Sequence, residues 1–248
     1  DSRYLAACLA GEARQVFVLD VAGREPARML GDRALANDLA WSPAGQRLVA
    51  AEEMYRTICL DLAGAEIWQY RAQSAHVKMH RRVAWSPDGR LVALGVETEQ
   101  RRCENEWKSV DVVVLIDAHT GTEVGTVEHG PKISQVIFGR DGLLASVGVG
   151  LVRMWDVAAR RPLWTAEGVG KAAWSPDGKY LLYSLGKAGA RVMNVETRES
   201  WPLHKETSDG NWGKGGSWSP DGTFILLVKA MQTEERVAWS GVTAEADP

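Results

Sequence analysis

His76 and His80 stand four residues apart, the interval at which two imidazoles on one helix face share a metal ion. No third ligand follows at a fixed spacing and nothing nearby marks a helix, so they read as solvated loop histidines and no metal site is expected. A serine set among glycines is the mark of a nucleophile elbow. Here Gly215-Gly216-Ser217-Trp218-Ser219 carries the wrong residues after Ser217 and feeds a strand, not a helix. Lys214 in the stretch Gly210–Gly216 lacks the spacing of a phosphate-binding loop, and Gly213-Lys214-Gly215-Gly216 reads as a flexible link. With no carboxylate pair standing apart, the sequence predicts no catalytic residue, no cofactor and no enzyme activity.

The chemistry left to the chain is recognition. Trp107 and Trp212 lie in polar surroundings with no strand pattern to bury them, and tryptophan and arginine dominate binding hot spots. Beside them Arg101, Arg102, Lys108, Arg81 and His80 complete a candidate partner-binding set. The plainer alternative is that each tryptophan folds back over its own loop or a sheet edge. The charges there are also nearly balanced, eight basic against six acidic, as on an ordinary solvated surface.

The elements that position these residues come from a phrase met five times. Trp41-Ser42-Pro43-Ala44-Gly45, Trp85-Ser86-Pro87-Asp88-Gly89, Phe138-Gly139-Arg140-Asp141-Gly142, Trp174-Ser175-Pro176-Asp177-Gly178 and Trp218-Ser219-Pro220-Asp221-Gly222 recur at steps of 44, 53, 36 and 44 residues. Proline presets the turn, aspartate tolerates its third position and glycine takes the left-handed conformation that closes it, so each copy dictates a hairpin. Short apolar runs flank each copy, as in Val83-Ala84-Trp85 and Arg90-Leu91-Val92-Ala93-Leu94, and read as buried strands a and b. A third run ends in an acidic or amide anchor, Asp20, Asp61, Asp117, Asp156 or Asn194, and reads as strand c. A fourth, such as Glu66-Ile67-Trp68-Gln69-Tyr70, reads as strand d.

Units of four strands every 40–45 residues predict an all-β fold, a β-propeller of four-stranded antiparallel blades. The blades fall at 1–35, 36–78, 79–130, 131–168, 169–210 and 211–248, in one propeller domain. The first lacks strand a and the last strand d, so about six blades are expected, the first and last incomplete. The notation Asp1-Ser2-Arg3 overlaying Asp88-Gly89-Arg90 leads to the expectation of a longer parent chain.

With Trp155-Asp156 as its name dipeptide and Asp20, Asp61, Asp117 and Asn194 at the matching position, nearly the whole chain resembles the WD-repeat family. It departs from that family in lacking a Gly-His pair before strand a. The Trp-Ser-Pro-Asp-Gly phrase is equally similar to TolB-like propellers and to those of prolyl-oligopeptidase-type peptidases. The resemblance implies a scaffold or sensor that binds a protein partner or another domain of its own chain. The alternative it implies is a propeller gating a hydrolase, or a TolB-like envelope protein.

The interval from the aromatic of the phrase to the following anchor is 32 residues in the third blade against 18 to 22 in the others. The excess is Glu97–Ser109, read as a long b–c loop, and loops of that length are more often functional than incidental. The longest d–a links are Ala72–Arg81 and Lys205–Gly216. Because strands alternate in direction, b–c and d–a segments leave on one face, which the sequence marks as the partner face. A net charge of −3 argues against nucleic acid or an anionic membrane as partner, and no apolar run reaches the ~18 residues of a membrane span. Cys8 and Cys59 lie in apolar strands as core thiols, which favours a reducing compartment and the cytoplasm. His129, beside Gly130-Pro131, reads as a turn residue, and His119 falls in the turn after Asp117.

Overall fold

The Ser-Pro-Asp-Gly turn closes on itself through its own atoms. In the third blade Gly89 N donates to Ser86 O at 2.9 Å, and Gly89 has φ 71°, open to glycine without strain. Ser86 Oγ donates to Asp88 Oδ1 at 2.6 Å and accepts from Leu91 N at 2.8 Å, so one hydroxyl clips the turn to the start of the next strand. The same clip forms at Ser175 with Asp177 and at Ser219 with Asp221. The serine hydrogen bond holds the Asp88 and Asp177 carboxyls below the usual carboxylate range, and that of Asp221 falls to about 2. At the same end of each sheet the anchor caps the next turn: Asp20, Asp61, Asp117, Asp156 and Asn194 each accept a backbone N–H two or three residues ahead.

The structure, a computed structural model, describes residues 3–8, 16–30, 36–52, 55–72, 77–98, 101–103, 106–108, 110–168, 170–203, 215–230 and 235–241. Among them the fold is all-β and propeller-like: six antiparallel sheets follow one another along the chain, and the first and last have three strands. The chain divides into two compact units, Asp1–Val136 and Ile137–Pro248.

In the first unit, sheet 1 is β1 (Tyr4–Cys8), β2 (Val16–Asp20) and β3 (Arg28–Leu30). Sheet 2 is β4 (Ala36–Trp41), β5 (Arg47–Glu52), β6 (Arg56–Asp61) and β7 (Glu66–Arg71). Sheet 3 is β8 (Val77–Trp85), β9 (Leu91–Thr98), β12 (Asp111–Asp117) and β13 (Glu123–Gly130), with a separate hairpin, β10 (Arg101–Cys103) and β11 (Glu106–Lys108), between β9 and β12. In the second unit, sheet 4 is β14 (Ile133–Phe138, where the division falls), β15 (Leu144–Gly148), β16 (Val152–Asp156) and β17 (Arg161–Ala166). Sheet 5 is β18 (Ala172–Trp174), β19 (Tyr180–Ser184), β20 (Ala190–Asn194) and β21 (Ser200–Pro202), and sheet 6 is β22 (Gly216–Trp218), β23 (Phe224–Ala230) and β24 (Glu235–Gly241).

The cores lie between successive sheets. Sheets 1 and 2 share a cluster that includes Val16, Val18, Leu48 and Ile58; sheets 2 and 3 share one that includes Val49, Trp68, Leu94 and Val114. Sheets 4 and 5 join through Met154, Leu181 and Tyr183, and sheets 5 and 6 through Leu182, Val192 and Ile225. Sheets 2 and 5, each with a shared core on either side, thus bury both faces, which is why their strands b and c read as continuous apolar runs rather than alternating ones. The strand-a positions differ from the expected burial. Ala173 and Trp174 are only half-buried, because strand a is the edge of its sheet.

The tryptophan of the phrase binds one sheet to the one before it. Trp85 Nε1 donates to Ala40 O at 3.0 Å, Trp174 Nε1 to Ile137 O at 3.3 Å and Trp218 Nε1 to Ala173 O at 3.1 Å. In every case the acceptor is the carbonyl just before the phrase aromatic of the preceding sheet. Two more bonds tie β4 to β8: Asn37 Nδ2 donates to His80 O at 2.8 Å, and Val83 N to Asp38 Oδ2 at 3.0 Å.

Candidate interaction surface

Glu97 is nearly the last residue of β9, where the third sheet gives way to its insertion, and it is buried. Burial alone would raise its carboxyl pKa. Lys78 Nζ at 2.9 Å and the Arg81 guanidinium outweigh that and hold the carboxyl below its usual range. The two cations come from β8, whose start lies beside the end of β9: Val77 pairs with Thr98 and Met79 with Glu97. The link entering sheet 3 and the insertion therefore leave the same end of that sheet.

Asp111 closes the base of the insertion. Fully buried at the start of β12, it accepts from Thr98 N at 3.1 Å through Oδ1 and from Ile133 N at 2.8 Å through Oδ2. Thr98 Oγ1 donates to Val110 O at 3.0 Å, a second cross-tie one residue away. Beside it Arg82 donates through Nη1 to Arg81 O at 2.9 Å and through Nε to Ser134 O. Gly95 makes room for this side of the sheet, since a Cβ there would lie 2.8 Å from Ile133 Cγ2.

Between these ties the chain forms a two-stranded hairpin rather than an irregular loop. Its register sets Arg101 opposite Lys108, Arg102 opposite Trp107 and Cys103 opposite Glu106. Four of the seven sequence-marked binding residues, Arg101, Arg102, Trp107 and Lys108, are thus brought together on one element. Arg81 joins them at its root through Glu97. Trp212 and His76 lie outside the described residues, as does most of Lys205–Gly216.

His80 corrects the sequence reading. It was expected on an exposed loop, but β8 begins at Val77 and His80 is fully buried within it. Its Nδ1 lies 2.9 Å from Thr57 Oγ1 and its ring stacks on Tyr70 at 5.9 Å. Tyr70 in turn donates to Glu123 Oε2 at 2.6 Å. Burial pushes the imidazole pKa down to about 4, with the Arg56 backbone opposing only in part. His80 belongs to the seam between sheets 2 and 3 and offers nothing to a partner at the surface. His129 is corrected likewise: it lies in β13, fully buried, not in a turn.

Of the residues that matter most at the root, Glu97 and Thr98 were marked in the sequence only as part of the insertion, read as loop, and Asp111 carried no flag. The one local signal is that Asp111 opens an otherwise unbroken aliphatic run, Val112–Ile116, a place where a carboxylate needs a partner.

No family model matches the sequence, and no curated protein matches it. Among solved structures the chain is similar to one in the crystal structure of the mitotic checkpoint complex, with TM-score 0.73 and 19% identity over 98% of this chain and 72% of that one. It is also similar to a chain of Kuenenia stuttgartiensis hydrazine synthase, with TM-score 0.67 and 17% identity over 92% of this chain and 70% of that one. At such identities the likeness speaks to the fold alone, and the fold it supports is the β-propeller.

Proposed function

We propose that this chain is a non-enzymatic interaction module of WD-repeat type, which receives a protein partner or another domain of its own polypeptide on the face where the b–c and d–a segments emerge. The observation that carries this reading is the β10–β11 hairpin. It is an ordered addition to the repeat, it joins Arg102 to Trp107 in register, and it stands on a buried, doubly neutralised carboxylate. Buried polar groups, Glu97 and Asp111, tie its root to the sheet, as a recognition element carried on a rigid scaffold requires. The propeller likeness to a chain of a multi-protein complex is in keeping with a partner-binding role. The net charge of −3 favours a protein partner over nucleic acid or an anionic membrane. Cys8 and Cys59 lie in the apolar strands β1 and β6 as core thiols, which favours a reducing compartment, and we place the module in the cytoplasm.

The test is affinity capture with mass spectrometry from the same cells, comparing the native protein with Arg102→Ala/Trp107→Ala. Loss of a specific protein with the melting temperature unchanged is the expected result. Retention of every partner by the variant would remove the hairpin from the interface. Capture of a hydrolase as the constant companion would favour the gating role instead.

A further inference from the structure

The β10–β11 hairpin is a two-stranded sheet of its own, because the strands on either side of it in the chain, β9 and β12, pair with each other. Two strands alone are marginal in water, and further strands are what ordinarily stabilise such a ribbon. Among the described residues the outer edges of β10 and β11 carry no partner strand, so each offers backbone donors and acceptors to another strand. The hairpin also carries a mismatch of its own: its register sets Arg101 directly opposite Lys108, two like charges, which is destabilising in a ladder.

The two edges differ in what they admit. A two-fold axis pairs a strand antiparallel with its own copy, so the residues on either side of the centre face one another. β10 centred on Arg102 would set that arginine against Arg102 of the second copy, a like-charge pair at the axis. β11 reads Glu106-Trp107-Lys108 and is complementary to itself reversed. Centred on Trp107, it sets Glu106 against Lys108 of the second copy and Lys108 against Glu106, two opposite-charge pairs flanking a tryptophan pair. Lys108, set against Arg101 within its own hairpin, thereby gains a carboxylate on its other side. Because Arg102 lies opposite Trp107, the central row of the joined sheet runs Arg102, Trp107, Trp107, Arg102 across four strands.

We infer that the hairpin's partner is a second copy of this chain, joined to the first by antiparallel two-fold pairing of β11 with β11 centred on Trp107. The product is one four-stranded sheet in the order β10–β11–β11–β10. The backbone ladder supplies the affinity, and the charges on either side of Trp107 fix the register and exclude the parallel arrangement, which would set Glu106 against Glu106. This deepens the reading of the hairpin as the interaction element and rests on it.

The measurement is sedimentation velocity over a concentration series. The native protein should show a reversible monomer–dimer equilibrium. Glu106→Lys leaves a cation on both sides of Trp107 and Lys108→Glu leaves an anion on both, so either substitution turns both attractive pairs repulsive and should weaken dimerisation about tenfold. Mixed one to one, the two single variants should form a heterodimer of about native affinity, because every flanking pair is then opposite in sign. The double variant Glu106→Lys/Lys108→Glu should dimerise as the native protein does, yet not with the native protein. Melting curves establish that each variant is folded; if a single variant is not, the double variant against native protein decides the matter. The inference is overturned by a native protein that stays monomeric to about 0.5 mM, far above the concentrations at which specific protein pairs assemble. It is overturned equally by a dimer that both single variants keep at native affinity, or by single variants that do not pair when mixed. A monomeric native protein would still leave the hairpin to a different protein, which the capture experiment with Arg102→Ala/Trp107→Ala reads separately.

Discussion

At the scale of single residues, the two kinds of titrating group respond to acid in separate windows. His80 is neutral in the folded chain, with its pKa lowered from about 6.5 to about 4 by burial. Between those values the unfolded chain binds a proton that the folded chain refuses, so stability is fully present above pH 6.5 and falls as pH drops toward 4. The loss is at most about 3 kcal/mol. The serine-clipped Asp88, Asp177 and Asp221 act lower: their folded pKa values are depressed, so their contribution is present above about pH 4 and is lost as pH falls toward 2. Urea denaturation of the native protein and of His80→Leu at pH 7.5, 5.5 and 4.5 checks this. The native protein should lose stability across that range and the variant should lose much less; equal slopes would return His80 to solvent. The contrast between these residues also shows what a sequence discloses. The Ser86–Asp88 clip is local, complete within five residues, and legible as a turn. The burial of His80 depends on Thr57 and Tyr70, which reach it from another sheet, and no local pattern announces them.

At the scale of elements, β8 and the β10–β11 hairpin were the segments least visible beforehand, for one reason. Strands are recognised by alternation, and β8 breaks its alternation with register shifts at Val77/Met79 and His80/Arg82, while Lys78, His80, Arg81 and Arg82 give it the composition of a loop. The hairpin has no apolar period at all, only charge around Cys103 and Trp107. Their order comes instead from buried polar ties at the root. Asp111→Ala tests this directly, since it strips the acceptor from Thr98 N and Ile133 N in a fully buried place. A cost of about 2–3 kcal/mol is expected, the penalty for leaving buried donors unmade. Amide exchange should rise first at Thr98 and Ile133. An unchanged melting curve with fast exchange confined elsewhere would mean that the hairpin root is held by the Glu97 ion pairs alone.

At the scale of the molecule, the repeat phrase was enough to give the all-β architecture because every copy encodes a turn with a strand on each side, and the copies at Trp85, Trp174 and Trp218 add an indole that reaches the sheet before. What the phrase cannot encode is how stability is shared, and the core clusters answer that for each unit. The cluster that holds Leu94 of β9 also holds Val49, Cys59 and Trp68 of sheet 2, so sheets 2 and 3 have no private interiors. Leu94→Ala would open a cavity at that common seam and cost about 2–5 kcal/mol, the range for a buried leucine whose surroundings relax only in part. The informative readout is where the damage appears. In native-state hydrogen exchange the amides of β5 and β6, which the substitution does not touch in sequence, should accelerate together with those of β9 and β12, because a sheet in this fold is stabilised by the face of its neighbour. Acceleration confined to β9 and β12 would make each sheet a folding unit of its own. The shared behaviour would make the pair of sheets the smallest cooperative element of the first unit.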